Sequence, residues 1–276
     1  MKIHHLNCGT LCPLAGSTLT KKFSFLKKFS MVCHCLLVET EQGLVLIDTG
    51  IGLKDVEHND RFFTQLLFNN FGKPLLDINE TAHAQIVAKG LNPLDVRHII
   101  ATHCDSDHIG GTADFPNATV HLMFSEWDEF FNQKGLKNLT RYLPEQFNHN
   151  PTFEKYKATG EKWNGFDAVK PLKGISDDIL LIPLPGHTRG HAGIAIQGLE
   201  RELFFVGDAY INRSQLLGKK VSPHIPLYNK LLQNDLKTFD LNLTRLSQLQ
   251  EQHKNIDIFC SHDRNEFECM CYGRKL

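Results

Sequence analysis

The run His103-Cys104-Asp105-Ser106-Asp107-His108, continued by Ile109-Gly110-Gly111, decides how this chain is read. His103, Asp105, Asp107 and His108 are metal-ligand residue types packed at i, i+2, i+4 and i+5. Buried without a cation, the two carboxylates would repel and be poorly hydrated, which forces protonation or costs on the order of several kcal/mol. A divalent ion removes the conflict and inverts the local pKa logic.

The residues before this run, 96–101, form an apolar strand, and Gly110-Gly111 permits a tight turn after it. Further strands are expected at 34–39, 44–48, 118–122, 179–184, 192–197, 202–207 and 256–260. Several are continuous apolar runs, as in strands buried on both faces. Helical spacing is read at 60–71, 78–90 (ended by Gly90), 125–147 and 228–253. Alternating strands and helices indicate an α/β layered protein, with chemistry placed beyond strand C-termini.

Three more strands end on ligand-type residues: Pro185-Gly186-His187, Gly207-Asp208 and Ser261-His262-Asp263. Together the four strand ends deliver His103, Asp105, Asp107, His108, His187, Asp208 and His262. Seven such groups suit two metals sharing one carboxylate, a hydrolytic arrangement with the ions about 3.5–4 Å apart.

Composition narrows the partners. Lys and Arg number 30 against 31 Asp and Glu, so no basic footprint for nucleic acid is present. No apolar run approaches the roughly 18 residues of a membrane span, and residues 1–40 carry no export signal. The eight cysteines are therefore expected as reduced cytoplasmic thiols. A structural zinc held by Cys8, Cys12, Cys33, Cys35, Cys269 and Cys271 is the alternative, although their spacings are not those of zinc ribbons.

With these motifs in order, and with Leu46-Ile47-Asp48-Thr49-Gly50 placed before them, the chain resembles the metallo-β-lactamase-fold hydrolases over nearly its whole length. The resemblance is greatest to the lactonase and glyoxalase II-type hydrolases, through the cluster's histidine and the Asp208 after Gly207, and among them to the acyl-homoserine-lactone lactonase-like branch, through Gly207-Asp208-Ala209 and Ser261-His262-Asp263. It implies a single domain over 1–276, a four-layer αβ/βα sandwich with halves near 1–165 and 166–276 and a helical insertion at about 125–165. It also implies that His103, Asp105 and His187 bind a first metal, that Asp107, His108 and His262 bind a second, and that Asp208 bridges them. Asp48 and His191 would support the ligands from behind. The implied reaction is hydrolysis of a lactone, carbonyl ester or thioester by a metal-bound hydroxide, with Asp107 shuttling the proton and Tyr210 donating to the oxyanion. The partner would be a small-molecule substrate.

One position departs from the pattern. The family motif reads His-x-His-x-Asp-His, whereas this chain has Asp105 at the second histidine. The extra carboxylate would leave a hydroxide-bridged pair of divalent ions formally neutral, a weaker Lewis acid. It also shifts preference from zinc toward iron or manganese. The flavodiiron branch resembles the chain here but needs a flavin domain, for which there is no room. Zinc remains the favoured pair of ions. Two other functions compete: an iron-dependent oxidoreductase of the persulfide dioxygenase type, and a non-enzymatic metal-binding or regulatory protein. The aromatic residues Trp127, Phe130, Phe131, Tyr142, Tyr156 and Trp163 are expected to form a substrate lid. The stripe Phe62, Phe63, Leu66, Leu67, Phe71 is read as core, or as cover for the cleft or a homodimer contact.

Overall fold

Successive side chains of a strand point to opposite faces, so a continuous apolar run has two faces to cover. The computed structural model, which describes residues 1–12, 30–57, 73–132, 141–158, 160–222 and 224–276, shows how this is met. The strands are β1 (Lys2–Leu11), β2 (Met31–Thr40), β3 (Gly43–Ile47), β4 (Val96–Ile100), β5 (Thr119–Met123), β6 (Thr152–Tyr156), β7 (Glu161–Trp163), β8 (Phe166–Ala168), β9 (Ile179–Pro183), β10 (Ala192–Ile196), β11 (Glu202–Phe205) and β12 (Ile256–Phe259). The helices among the described residues are α1 (Leu53–Glu57), α2 (Ala82–Ala88), α3 (Ser106–Ile109), α4 (Phe124–Asn132), α5 (Arg213–Leu216), α6 (His224–Leu232), α7 (Leu236–Gln252) and α8 (Arg264–Cys271).

β1 to β6 form one sheet in sequence order, and β12-β11-β10-β9 form a second. Leu36, Val38, Val45, Ile47 and Ile100 of the first sheet pack on Ile179, Leu181, Ile194, Ile196 and Phe205 of the second. The alternate residues face outward: Leu37, Leu46 and Ile99 meet Ile86 of α2 and Phe130 of α4. Leu180, Ile182, Phe204 and Ile258 meet Leu246 and Leu249 of α7. The order is helix, sheet, sheet, helix, the expected four-layer αβ/βα sandwich.

Sheet direction gathers the site. β3, β4 and β5 run parallel. β9 and β11 are each antiparallel to β10, and β12 is parallel to β11. The C-terminal ends of β9, β11 and β12 therefore share one edge. Backbone bonds from Ala192 N–H to Thr102 O (2.9 Å) and from His34 N–H to Ser261 O (3.0 Å) join that edge to the first sheet.

Among the described residues of 125–165, α4 is followed by a 3-10 turn (Pro144–Phe147), then by edge strand β6 and by β7. The aromatics of this segment form no single lid. Phe130, Tyr142 and Phe147 belong to the first outer core, and Trp163 stacks edge-on against Phe204 in the second. The helix expected at 228–253 is two, α6 and α7, because Asp235 caps a new start by accepting from Lys237 N–H and Thr238 N–H. The aromatic stripe Phe62 to Phe71 lies outside the described residues. No described helix is long and apolar enough to cross a membrane.

Candidate metal centre

Each ligand-type side chain follows a strand end. His103 to His108 come after β4, His187 after β9, Asp208 after β11 and His262 after β12. Gly207 makes the turn before Asp208: its φ is +52°, and a Cβ there would lie 2.7 Å from His191 Nε2.

The imidazoles are held from behind. Asp48 Oδ1 accepts from Thr102 N–H (2.8 Å), and Asp48 Oδ2 accepts from Thr102 Oγ1–H and His108 Nδ1–H (2.8 Å each). With its hydrogen committed to Asp48, Thr102 Oγ1 accepts from His103 Nδ1–H at 2.9 Å. One carboxylate thus fixes the tautomer of two imidazoles. His187 Nδ1–H donates to Gln233 Oε1 (2.9 Å), and His262 Nδ1–H to Val32 O (2.8 Å). All four rings have Nδ1 engaged and Nε2 turned inward, as metal-ligating histidines do.

Those nitrogens converge on three carboxylates. Asp208 Oδ2 lies 3.2 Å from His262 Nε2 and 3.6 Å from His187 Nε2, and its Oδ1 lies 3.3 Å from His108 Nε2. Asp105 Oδ2 lies 3.0 Å from His187 Nε2 and 3.5 Å from His103 Nε2. Asp107 Oδ2 lies 3.5 Å from His262 Nε2. Ligand atoms of His103, His108 and Asp208 are within 4.8 Å of one another, as are those of His103, Asp105 and His187, and of Cys33, Asp107 and His262. His103 Nε2, His108 Nε2 and Asp208 Oδ1 are buried without a hydrogen-bond partner. Orphaned inward nitrogens facing carboxylates are what a divalent cation requires, so the residues fit metal.

The electrostatics agree. Burial opposes ionisation of Asp208, yet the charges of His262 and His108 hold its carboxyl well below the usual range. Burial would lower His108, but Asp208, Asp107 and Asp48 hold it well above an ordinary histidine. His262 is likewise raised against burial, by Asp208 and Asp107. Burial, then the charge of His108, keeps His103 well below. Burial pushes Asp107 up.

His191 stays behind the cluster. Its Nδ1–H donates to Leu184 O (2.8 Å), and its Nε2 accepts from Asp208 N–H (3.0 Å). Burial, then His187, lowers it to about 3, so this neutral ring positions Asp208. Tyr210 is a correction. Its hydroxyl is fully buried and donates to Glu266 Oε1 at 2.9 Å, beside Arg213. A hydroxyl spent there does not reach an oxyanion at the cluster. Among the described residues, no three of the cysteines form a ligand cluster with one another.

Several residues were invisible in the sequence. Arg141 Nε lies 3.3 Å from Asp105 Oδ1, and its Nη1 and Nη2 donate to His187 O (2.8 Å) and Leu232 O (2.6 Å). Glu126 of α4 accepts from Cys104 N–H (2.8 Å), Thr188 Oγ1–H (2.6 Å) and Gly190 N–H (3.1 Å), tying two ligand loops together. Burial, then the charges of Asp208, Asp107 and Asp105, push the phenol of Tyr228 of α6 up, so it stays protonated. Cys33, Thr102 and Gln233 complete the surroundings. None of these sits in a local motif, so only the fold reveals them.

Residues 31–247 match the family model described as the metallo-beta-lactamase superfamily. The chain belongs to the metallo-β-lactamase superfamily. It is 37% identical over 270 residues to a Mycobacterium tuberculosis protein named "Probable metallo-hydrolase", covering 97% of this chain and 82% of that one. Its fold is similar to an N-acyl homoserine lactone hydrolase solved with N-hexanoyl-L-homoserine at the catalytic metal centre (TM-score 0.72, 19% identity, covering 97% of this chain and 95% of the other). It is also similar to a dizinc quorum-quenching lactonase bound to its product (TM-score 0.62, 19% identity, covering 94% and 86%). As a metal-dependent hydrolase of this superfamily, the chain carries the family's strand-end groups at one sheet edge, with Asp105 in a histidine's place.

Proposed function

We propose that this hydrolase opens a lactone, or cleaves a related carbonyl ester or thioester, at a centre holding two divalent ions, zinc in the first place. His103, Asp105 and His187 would hold one ion, Asp107, His108 and His262 the other, and Asp208 would serve both. The supporting observation is the set of four imidazoles whose Nδ1 atoms are all tied off and whose Nε2 atoms meet three carboxylates. The lactonases that share the fold favour the lactone among carbonyl substrates. Bound divalent ions would polarise the carbonyl and lower the pKa of water.

The chain's own groups supply the rest. Asp107 Oδ2, raised by burial, is suited to accept a proton from the nucleophilic water and return it to the leaving oxygen. With the Tyr210 hydroxyl engaged by Glu266, we assign Tyr228 as the phenol that would donate to the carbonyl oxygen. Asp48 and Thr102 keep His103 and His108 oriented throughout. The intact second-ion set favours this reading over the one-iron oxidoreductase. The test is a screen of metal-defined protein against short- and long-chain N-acyl homoserine lactones, aryl esters, S-lactoylglutathione and nitrocefin. Turnover of lactones above all others supports the proposal, and silence on every substrate with two metals bound contradicts it.

A further inference from the structure

Asp105 stands where the family has histidine, and it occupies the N-cap position of α3 without capping it. A capping aspartate would turn its side chain onto the helix N–H groups. This one turns into the cluster instead, and its two oxygens have different partners. Oδ2 faces His187 and His103 at 3.0 and 3.5 Å, and Oδ1 faces Arg141 Nε at 3.3 Å. Arg141 is itself nearly buried, with 8% of its side chain exposed, and is anchored on both sides of the site through His187 O and Leu232 O. A buried guanidinium this close to a metal ligand is costly without a purpose, because like charges repel in a poorly screened site.

We propose that Arg141 is the charge partner of Asp105 and returns to the centre the charge that a histidine at position 105 would give it. Replacing a neutral imidazole by a carboxylate adds one negative charge, and Arg141 adds one positive charge beside it. The pair together carries the charge of the histidine it replaces. Arg141 faces Oδ1 as an ion-pair partner while Oδ2 faces the histidines, so Asp105 would offer the cation one atom, as an imidazole does. The formal charge of the two-ion centre is then that of the family pattern, not one unit lower as Asp105 alone implies. Arg141 is a positioning residue and touches no substrate in this account.

The inference rests on the two-metal reading and makes an unusual prediction. Asp105→His, which restores the family motif, leaves Arg141 uncompensated and weakens metal binding. Asp105→His combined with Arg141→Met recovers it. The experiment titrates zinc into metal-free protein against a chromophoric chelator, for the wild type, D105H, R141M and D105H/R141M, with folding checked by circular dichroism. The expected result is two equivalents in the wild type, affinity about tenfold or more lower in D105H, and most of that loss regained in the double variant. R141M alone keeps its metal, since removing a positive charge cannot repel a cation. A double variant no better than D105H overturns the inference while leaving the two-metal reading standing. Fewer than two equivalents in the wild type overturns the two-metal reading itself. If D105H does not fold, Asp105→Asn with and without R141M reads the same coupling, with the same recovery expected and the same failure decisive.

Discussion

Replacing Asp48 by asparagine changes one atom and tests how the centre is oriented. The carboxylate is fully buried and accepts three hydrogen bonds, from Thr102 N–H, Thr102 Oγ1–H and His108 Nδ1–H. An amide has one acceptor oxygen. If that oxygen takes the place of Oδ2, the new NH2 faces the Thr102 N–H, donor against donor. If the NH2 takes that place, it meets His108 Nδ1–H, and the ring must move its proton to Nε2, the nitrogen aimed at the centre. Either orientation strands a buried donor, at about 1–3 kcal/mol. For a chain of this size that lowers Tm by roughly 2–4 °C per kcal/mol. His103 loses order too, because it hangs on the Thr102 hydroxyl that Asp48 fixes. Losing such support typically costs about 10–100-fold in metal affinity. The assay is zinc competition on metal-free D48N, paired with its thermal unfolding with and without zinc. Stability lowered equally in both states, with affinity unchanged, would refute the orienting role and leave Asp48 a purely structural acceptor.

Other outcomes follow from the same contacts. Tyr228→Phe should lower kcat for lactones by roughly 10²-fold with metal content unchanged, if it donates to the oxyanion; an unaltered kcat assigns the phenol to packing. Tyr210→Phe should leave kcat unchanged but cost about 1–3 kcal/mol of stability, because its hydroxyl serves buried Glu266 rather than substrate. The metal-free protein should lose stability as pH rises. His108 and His262 are raised in the folded chain, so their contribution is full below the unfolded value of about 6.5 and is lost as pH climbs through the folded values. Zinc displaces those protons, so its affinity should rise over the same window, seen as a growing gap in Tm between zinc-loaded and metal-free protein from pH 6 to 9. A constant gap would contradict the proton-held cluster.

Strand-end ligands were legible because two signals coincided: apolar runs long enough to be strands, and polar ligand types immediately after them. The runs at 44–48, 96–101 and 202–207 needed no tertiary information. β1 and β6 were missed for a physical reason. His4, His5 and Asn7 interrupt the apolar pattern of β1, and edge strand β6 carries Glu154 and Lys155 on a partly solvated surface. The break between α6 and α7 was hidden because the leucine spacing continues across Gln233 to Asp235, although that break presents Gln233 to His187. Tyr210 is near Asp208 in sequence, but the turn at Gly207-Asp208 sends it into the second outer core. Asp105 was visible as a departure, while its partner Arg141, thirty-six positions later, could be found only in three dimensions.

The proposed ring opening requires that the centre be a two-metal hydrolytic site. Metal analysis of the purified chain, coupled to lactone ring opening before and after chelation, tests it directly. The prediction is close to two equivalents of divalent metal, ring opening abolished by chelation, and recovery on adding zinc. One equivalent or less, or ring opening that persists in metal-free protein, would contradict it.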